Sequence, residues 1–183
     1  KKGGQHFGSC LLWLDDGTLL MSIGDGGNPP LQLDGRLIRL NAQDLSSQLG
    51  KILRLNEDGK PPADNPFVDD GDPKTDPLIW TYGHRNIQGL ALHPQSRAVW
   101  ATEHGARGGD ELNMIRRGQN YGWPKATYSV EYFGPRISES TTVEGAIDPA
   151  VVWTPCIAPS GLVFYTGPEF PGWQGDLLAG GLV

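Results

Sequence analysis

Short apolar runs separated by polar turns dominate the chain, and helical periodicity is nearly absent. Apolar runs at residues 11–14 and 18–23 flank an Asp-Asp-Gly turn, which predicts a β-hairpin because Asp-Gly favours the tight turn between antiparallel strands. The same pattern predicts three further units: residues 51–55 with the turn after them, residues 89–92 with 98–102, and residues 161–165 with 176–182. The sequence therefore predicts an all-β protein.

One stretch has a helical pattern. Residues 42–49 (AQDLSSQL) are polar on one side and apolar on the other, and Gly50 follows them. Glycine commonly ends helices because it adopts the left-handed backbone conformation without strain. We therefore expect a short helix over residues 42–49.

The strand units repeat a simple order: a strand, a polar turn, a second strand and then a glycine-containing motif. Three of them end in Gly24-Asp25-Gly26, Glu103-His104-Gly105 and Gly180-Gly181. Repeated small sheets of this kind are typical of the radially arranged blades of a β-propeller, and about 40–50 residues per blade would give roughly four blades. The strand pattern alone is also compatible with a β-sandwich. The 26 glycines and 15 prolines fit either of these turn-rich folds.

Charge, hydropathy and cysteine spacing argue against a nucleic-acid-binding protein, a membrane helix and a cysteine metal site. The formal net charge is −6 and no basic run exceeds two residues, so a nucleic-acid partner is not expected. The longest uncharged stretch, residues 149–168, contains four prolines and is unsuitable as a membrane helix. Cys10 and Cys156 have no metal-type spacing; two free thiols are favoured over one disulfide.

A histidine and a carboxylate lie at the two ends of the first predicted hairpin. His6 precedes the first strand and Asp25 follows the second, so both side chains can reach one rim of the fold. A carboxylate beside an imidazole fixes its tautomer and suits it to act as a general base. On their own, a histidine and an aspartate at this spacing are more often unrelated.

A polar cluster occupies residues 82–89 (YGHRNIQG), between two predicted strands. Arg85, Asn86 and Gln88 place a planar cation and two amides together, which is a combination that binds carboxylates or carbonyl oxygens. The alternative is a polar loop whose amides cap the neighbouring backbone.

A second cluster, residues 103–111 (EHGARGGDE), combines three glycines with adjacent carboxylates. Glycines let the backbone turn sharply and direct its carbonyl groups inward, and carboxylates supply further oxygen ligands. Oxygen donors of these two kinds are what calcium prefers. The cluster is therefore a candidate calcium site.

Taken together, nine motifs in this order resemble one known family: His6-Phe7-Gly8, Gly24-Asp25, Ala42-Gln43-Asp44-Leu45, residues 50–55 (GKILRL), residues 64–67 (DNPF), residues 80–86 (WTYGHRN), Glu103-His104-Gly105, residues 108–111 (GGDE) and residues 120–124 (NYGWP). The series is similar to the soluble aldose sugar dehydrogenases that depend on pyrroloquinoline quinone (PQQ), the glucose/sorbosone dehydrogenase family. The resemblance runs from His6 to about residue 182. It implies a six-bladed β-propeller in place of the sandwich.

The resemblance also implies a reaction: oxidation of an aldose at its anomeric carbon to the lactone, with PQQ and Ca²⁺ as cofactors. His6, Asp25 and Arg85 match catalytic residues, with His6 as the general base. The PQQ-binding positions are matched by Arg85, Asn86, Gln88 and His104. The calcium ligands are matched by Gly105 and Ala106 at one site and by Glu111 and Tyr121 at a second, with Asp110 beside them.

Roughly four blades cannot close a six-bladed ring, and open sheet edges are unfavourable. We therefore expect residues 1–183 to be one partial propeller domain, either a fragment of a longer chain or one whose copies associate to complete the ring. On its own this chain is expected to have little dehydrogenase activity, because the family's later basic residues that grip the quinone carboxylates are not in it.

The resemblance further implies a bacterial periplasmic or secreted enzyme with an external electron acceptor. Two alternatives remain open: a calcium-binding propeller without redox chemistry that acts as a binding module, and a calcium-dependent lactonase-type propeller.

Overall fold

The computed structural model describes residues 5–27 and 31–183, which contain twelve β-strands and two short 3-10 helices. In chain order the strands are β1 (Gly8–Trp13), β2 (Leu19–Ile23), β3 (Gln32–Leu33), β4 (Arg36–Leu37), β5 (Lys51–Leu55), β6 (Ile79–Tyr82), β7 (Ile87–Leu92), β8 (Val99–Glu103), β9 (Asp110–Ile115), β10 (Val151–Trp153), β11 (Pro159–Phe164) and β12 (Leu177–Gly181). The 3-10 helices are Ile38–Gln43 and Pro171–Trp173. The all-β prediction is confirmed.

The strands form three main antiparallel sheets. Their spatial orders are β1-β2-β5-β6, β7-β8-β9-β10 and β11-β12, while β3 and β4 form a small separate hairpin. Strand β7 packs against both β1 and β11, so the first strands of the three sheets stand next to one another. This is the radial arrangement that the repeated units predicted.

The number of sheets differs from the roughly four blades that were predicted. Residues 51–55 form a strand as expected, but β5 pairs along its whole length with β2 instead of starting a sheet of its own. Two predicted units therefore belong to one four-stranded sheet. The described residues contain three main sheets, and the first two, at 8–82 and 87–153, each use more chain than the assumed 40–50 residues because long connections lie between their strands.

The predicted helix over residues 42–49 is wrong: the structure has a 3-10 helix at Ile38–Gln43, followed by turns. The Asp44 carboxylate accepts hydrogen bonds from the backbone N–H and the hydroxyl of Ser46, and such local bonds compete with helical ones. The buried ammonium of Lys51 adds to this, because it donates to the carbonyls of Asn41, Ala42 and Leu49 at 2.8–3.1 Å. The turns therefore satisfy this backbone without a helix.

The core lies between the first two sheets, where their apolar side chains interlock. Its buried members are Leu20, Ile52, Ile87, Leu90, Val99, Ala101, Ile115 and Tyr121. Cys10 and Cys156 are partly buried free thiols, as predicted. In the described part of the chain, none of the helices has the length and hydrophobicity to span a bilayer.

The antiparallel order collects the chemically active residues at one edge. In the first two sheets β1, β5, β7 and β9 begin at this edge, while β2, β6 and β8 end there. His6 precedes β1, Asp25 follows β2, Arg85 precedes β7 and Gly105 follows β8. Motifs far apart in sequence therefore meet in space.

Candidate active site

His6 and Asp25, which the predicted hairpin places at one rim and the family resemblance matches to catalytic residues, form a hydrogen-bonded pair. His6 Nδ1 lies 2.8 Å from Asp25 Oδ1, and the Asp25 side chain is fully buried. When the imidazole is neutral and its Nδ1–H donates to the carboxylate, the lone pair is left on Nε2. Within residues 5–27 and 31–183, Nε2 has no hydrogen-bond partner, which is the state required of a general base.

Two further donors hold the Asp25 carboxylate. Gly27 N–H donates to Oδ1 at 3.1 Å and Trp123 Nε1–H donates to Oδ2 at 2.9 Å. The Asp25 backbone N–H in turn donates to the Arg85 carbonyl at 2.8 Å. The pair is thus anchored to both the first and the second sheet.

The backbone at His6 needs Gly24. His6 has a φ of 58°, in the left-handed region that side-chain-bearing residues seldom adopt. A Cβ placed on Gly24 would lie 1.9 Å from the His6 carbonyl oxygen, well inside van der Waals contact. Glycine at position 24 therefore lets β2 end directly beside the histidine.

Arg85 lies buried next to this pair. Its Nη1 donates to the carbonyls of His104, at 2.9 Å, and of Gly105, while its backbone N–H donates to Glu103 Oε2 at 2.8 Å. Nε and Nη2 have no partner among the residues that the structure describes. These two donors point in one plane from a buried cation, which suits a planar, negatively polarised ligand.

The other predicted PQQ-binding residues lie around Arg85 but differ in which of their polar atoms are already hydrogen-bonded. Asn86 is buried, and its Oδ1 accepts a hydrogen bond from Gln88 Nε2 at 2.9 Å. His104 Nε2 lies 2.7 Å from the Pro159 carbonyl, so this ring nitrogen is directed toward the third sheet. The structure therefore brings the predicted residues together, with His104 in a bridging position between two sheets.

Gly105 and Ala106, whose carbonyl groups are predicted to bind calcium, lie in a loop that two side chains hold by hydrogen bonds to its backbone. Asp110 Oδ1 accepts from Gly105 N–H at 2.7 Å, and Ser129 Oγ accepts from Ala106 N–H at 3.0 Å. The Gly105 carbonyl accepts from Arg85, which leaves one of its lone pairs for a second electrophile. The loop fits a cation that shares this carbonyl with the arginine.

Glu111 and Tyr121, predicted at the second calcium site, line one small cavity of about 10 Å³ together with Glu103 and Arg85. The Tyr121 hydroxyl is turned away toward the backbone, donating to Met114 O and accepting from Arg116 N–H, each at 2.8 Å. No set of three or more His, Cys, Asp or Glu side chains is grouped for a metal in the described ranges. Any ion here must therefore rely on carbonyl oxygens as well as Glu111.

The charge balance around Glu111 fits such an ion. Burial, together with the neighbouring charge of Glu103, raises the pKa of Glu111 to about 8, and its hydrogen bond from Asn113 Nδ2 at 3.1 Å only partly opposes this. Asn113 Oδ1 is itself buried without a partner in the described structure. A carboxyl group short of positive charge beside an unsatisfied amide oxygen is a suitable environment for a divalent cation.

Two residues of this site were not predicted. Trp123 donates to Asp25, and the guanidinium of Arg85 lies 5.4 Å from its ring centroid. Glu103 binds the Arg85 backbone and also pairs with the buried His84, whose Nδ1 lies 3.1 Å from Oε1. Both residues belong to the motifs that carry the family resemblance, but no spacing rule relates them to their partners.

Comparison with known proteins shows the family. The family described as Glucose / Sorbosone dehydrogenase matches residues 1–183. Uncharacterized protein slr1608 of Synechocystis is 59% identical over an alignment of 184 positions that covers 100% of this chain and 44% of that protein. Aldose sugar dehydrogenase YliI of Escherichia coli is 40% identical over 181 residues, 98% of this chain and 46% of YliI.

A solved structure gives the same result. The PQQ-bound form of Aldose Sugar Dehydrogenase from Streptomyces coelicolor is similar with a TM-score of 0.67 and 30% identity, over 96% of this chain and 49% of that one. The chain spans about half the length of the curated relatives it matches. On the match of all 183 residues, the chain belongs to the glucose/sorbosone dehydrogenase family.

Proposed function

We propose that this chain supplies the base and part of the cofactor site for PQQ-dependent oxidation of an aldose sugar at its anomeric carbon. The sugar loses a hydride from that carbon and a proton from its anomeric hydroxyl, and becomes the lactone. The observation that carries the proposal is the His6–Asp25 pair, which lies at the same sheet edge as Arg85 and in which His6 Nε2 has no partner from the described part of the chain.

His6 is the general base in this proposal. Its Nε2 takes the hydroxyl proton while the Asp25 carboxylate stabilises the imidazolium that forms. Asp25 suits this role because it is fully buried, so its charge acts through little intervening solvent. General-base catalysis of this kind contributes a factor of about 10²–10⁴.

Arg85 stabilises negative charge on the electron acceptor. Nε and Nη2, which have no partner among the described residues, are fixed in place because Nη1 donates to two backbone carbonyls and the Arg85 backbone N–H donates to Glu103. A donor set fixed before reaction costs no reorganisation when charge develops. Asn86, Gln88 and His104 line the same region and complete the proposed binding surface for quinone and sugar.

Bound PQQ would accept the hydride, and calcium would act as a Lewis acid that polarises the quinone. Gly105 and Ala106 would hold that calcium through their carbonyls. Glu111 and Tyr121 would hold a second, structural ion, with Tyr121 contributing its backbone because its hydroxyl is engaged. The neighbour whose PQQ-bound form has been solved supports the quinone assignment.

In this proposal these 183 residues supply only part of what the complete reaction needs. Since the chain spans about half of its relatives, we propose that its three sheets are part of a six-bladed propeller whose remaining sheets complete the quinone pocket. The family resemblance also supports a periplasmic or secreted location in bacteria and an external electron acceptor.

Two measurements test the proposal. Isothermal titration measures PQQ binding with and without calcium. Dye reduction with glucose, PQQ and calcium measures turnover, both for the 183-residue chain and for the longest natural chain that contains it. We expect turnover in the longer chain and little in the 183 residues alone. Calcium binding without any response to PQQ in either chain would contradict the proposal and favour a calcium-binding module.

A further inference from the structure

Trp123 contacts both the His6–Asp25 pair and Arg85 in the candidate active site. Its indole Nε1–H donates to Asp25 Oδ2 at 2.9 Å, across 98 residues of sequence. The guanidinium of Arg85 lies 5.4 Å from the centroid of the same ring. Only 5% of Trp123 is exposed, so both contacts are shielded from solvent.

The indole contact controls which way the Asp25 carboxylate faces. Oδ1 accepts from His6 and from Gly27 N–H, and Trp123 is the donor on Oδ2 among the residues that the structure describes. With donors fixed on both oxygens, the carboxylate plane cannot rotate without breaking a buried hydrogen bond. An indole N–H only donates, so it always requires an acceptor at this position.

The backbone of Trp123 is anchored on both sides. Its backbone N–H donates to the Gly83 carbonyl at 2.9 Å, and its backbone carbonyl accepts from Gln43 Nε2 at 2.7 Å. Gln43 is in turn bonded in both directions to the Asn120 side chain, each contact at 2.9 Å. Arg39 lies 5.9 Å from the Trp123 ring centroid. The donor therefore has a fixed position from which to orient a flexible partner.

We propose that Trp123 is a positioning residue for the His6–Asp25 pair. By holding Oδ2, the indole keeps Oδ1 in line with His6 Nδ1. This geometry favours the tautomer with the proton on Nδ1 and the lone pair on Nε2. The inference rests on the proposed role of His6 as the base, and it concerns a property of this chain that needs no quinone.

The test is ¹⁵N NMR of the histidine ring nitrogens, which distinguishes the two neutral tautomers. It is performed on the 183-residue chain at a pH where His6 is neutral. The variant Trp123→Phe keeps an aromatic ring next to Arg85 but removes the N–H donor. Trp80→Phe is the matched control, because Trp80 also has an arginine, Arg54, 4.8 Å from its ring centroid but lies away from the pair.

The wild-type chain and Trp80→Phe should show His6 in one tautomer with Nε2 unprotonated. In Trp123→Phe the Nδ1–H tautomer should lose several-fold in population relative to its alternative. A folded Trp123→Phe chain with an unchanged His6 tautomer would overturn the proposal.

A second variant covers the case in which phenylalanine disrupts folding. A tryptophan isostere with sulfur in place of the indole N–H, incorporated at position 123, keeps the shape of the ring and removes only the donor. It should give the same tautomer shift as Trp123→Phe, and an unshifted tautomer would again overturn the proposal. Because no quinone is present, failure here is distinguishable from failure of the dehydrogenase assay.

Discussion

Among the residues that the structure describes, two histidine–carboxylate pairs differ in whether the second ring nitrogen has a partner. In the His84–Glu103 pair both ring nitrogens are occupied: Nδ1 lies 3.1 Å from Glu103 Oε1 and Nε2 lies 2.9 Å from Thr81 Oγ1. The ring is also stacked on Tyr121 at 4.6 Å and is fully buried. In the His6–Asp25 pair only Nδ1 has a partner in the described ranges, and the ring reaches the rim.

The difference separates a structural pair from one that can react. A base needs a free lone pair that a substrate can reach, and His84 offers none. The His84–Glu103 pair instead fixes the backbone of Arg85 through Glu103 Oε2. His84 stands directly beside Arg85 in the sequence, so sequence proximity to the site does not identify the base.

The largest expected effect tests this contrast through stability. His84→Gln should lower the free energy of unfolding by about 3–5 kcal/mol, because breaking a buried, hydrogen-bonded pair removes one of the closest partners of the buried Glu103 carboxylate. His6→Asn should cost below about 1 kcal/mol, since Asp25 keeps its bonds from Gly27 and Trp123 and the asparagine amide can replace Nδ1–H. Urea unfolding followed by circular dichroism measures both. Equal losses in the two variants would contradict the distinction.

The two glutamates near Asn113 extend the comparison. Burial alone would raise the pKa of the Glu103 carboxyl, but the pKa is lowered overall because His84 and Arg85 stabilise its ionised form and hydrogen-bond to it. Glu111 has no such partner among the described residues, and its pKa is raised to about 8. Between pH 4.5 and 8 the folded chain therefore keeps a proton on Glu111 that the unfolded chain has released.

This proton sets a pH dependence of stability. In calcium-free buffer the free energy of unfolding should fall as the pH rises from about 5 to 7, by roughly 2–3 kcal/mol. Above pH 7 the lowered pKa of Lys51, about 7, acts in the opposite direction. Glu111→Gln should remove this slope, and calcium should reduce it because the ion stabilises the carboxylate. The exposed Glu57→Gln is the control and should behave like the wild type. Thermal unfolding at several pH values, with calcium or chelator, gives the result. A slope that persists in Glu111→Gln would rule out this carboxyl as its source.

A smaller effect is expected from the backbone that supports His6. Gly24→Ala should lower stability by about 1–3 kcal/mol, because the new Cβ overlaps the His6 carbonyl and must displace it. The His6–Asp25 hydrogen bond should be lost with it, as seen in the ring ¹⁵N shifts. Gly161→Ala is the matched control, because Gly161 also lacks a positive φ but has open space where a Cβ would lie. It should change stability little and leave the His6 signals unchanged.

Sequence reasoning succeeded where the information was local. Asp-Gly turns and apolar runs located most strands, and residues 51–55 form a strand with the predicted bounds. The common rim of His6 and Asp25 followed from the predicted hairpin. The motif series identified the family.

It failed where the outcome depended on distant contacts. The helix over residues 42–49 was not formed because Lys51, outside the pattern, binds the carbonyls of that segment. The sheet count was wrong because β5 pairs back to β2 across a long connection. The Trp123–Asp25 bond joins residues 98 positions apart, and no periodicity relates them.

The central claim is that His6 is the base that accepts the sugar proton. Its most direct test is single-turnover reduction of bound PQQ by glucose, followed by absorbance, in the longest natural chain that contains these residues. His6→Asn should still bind PQQ in calorimetry but reduce it about 10²–10⁴-fold more slowly, whereas His93→Asn, on the opposite edge, should match the wild type. Reduction by His6→Asn at the wild-type rate would contradict the account.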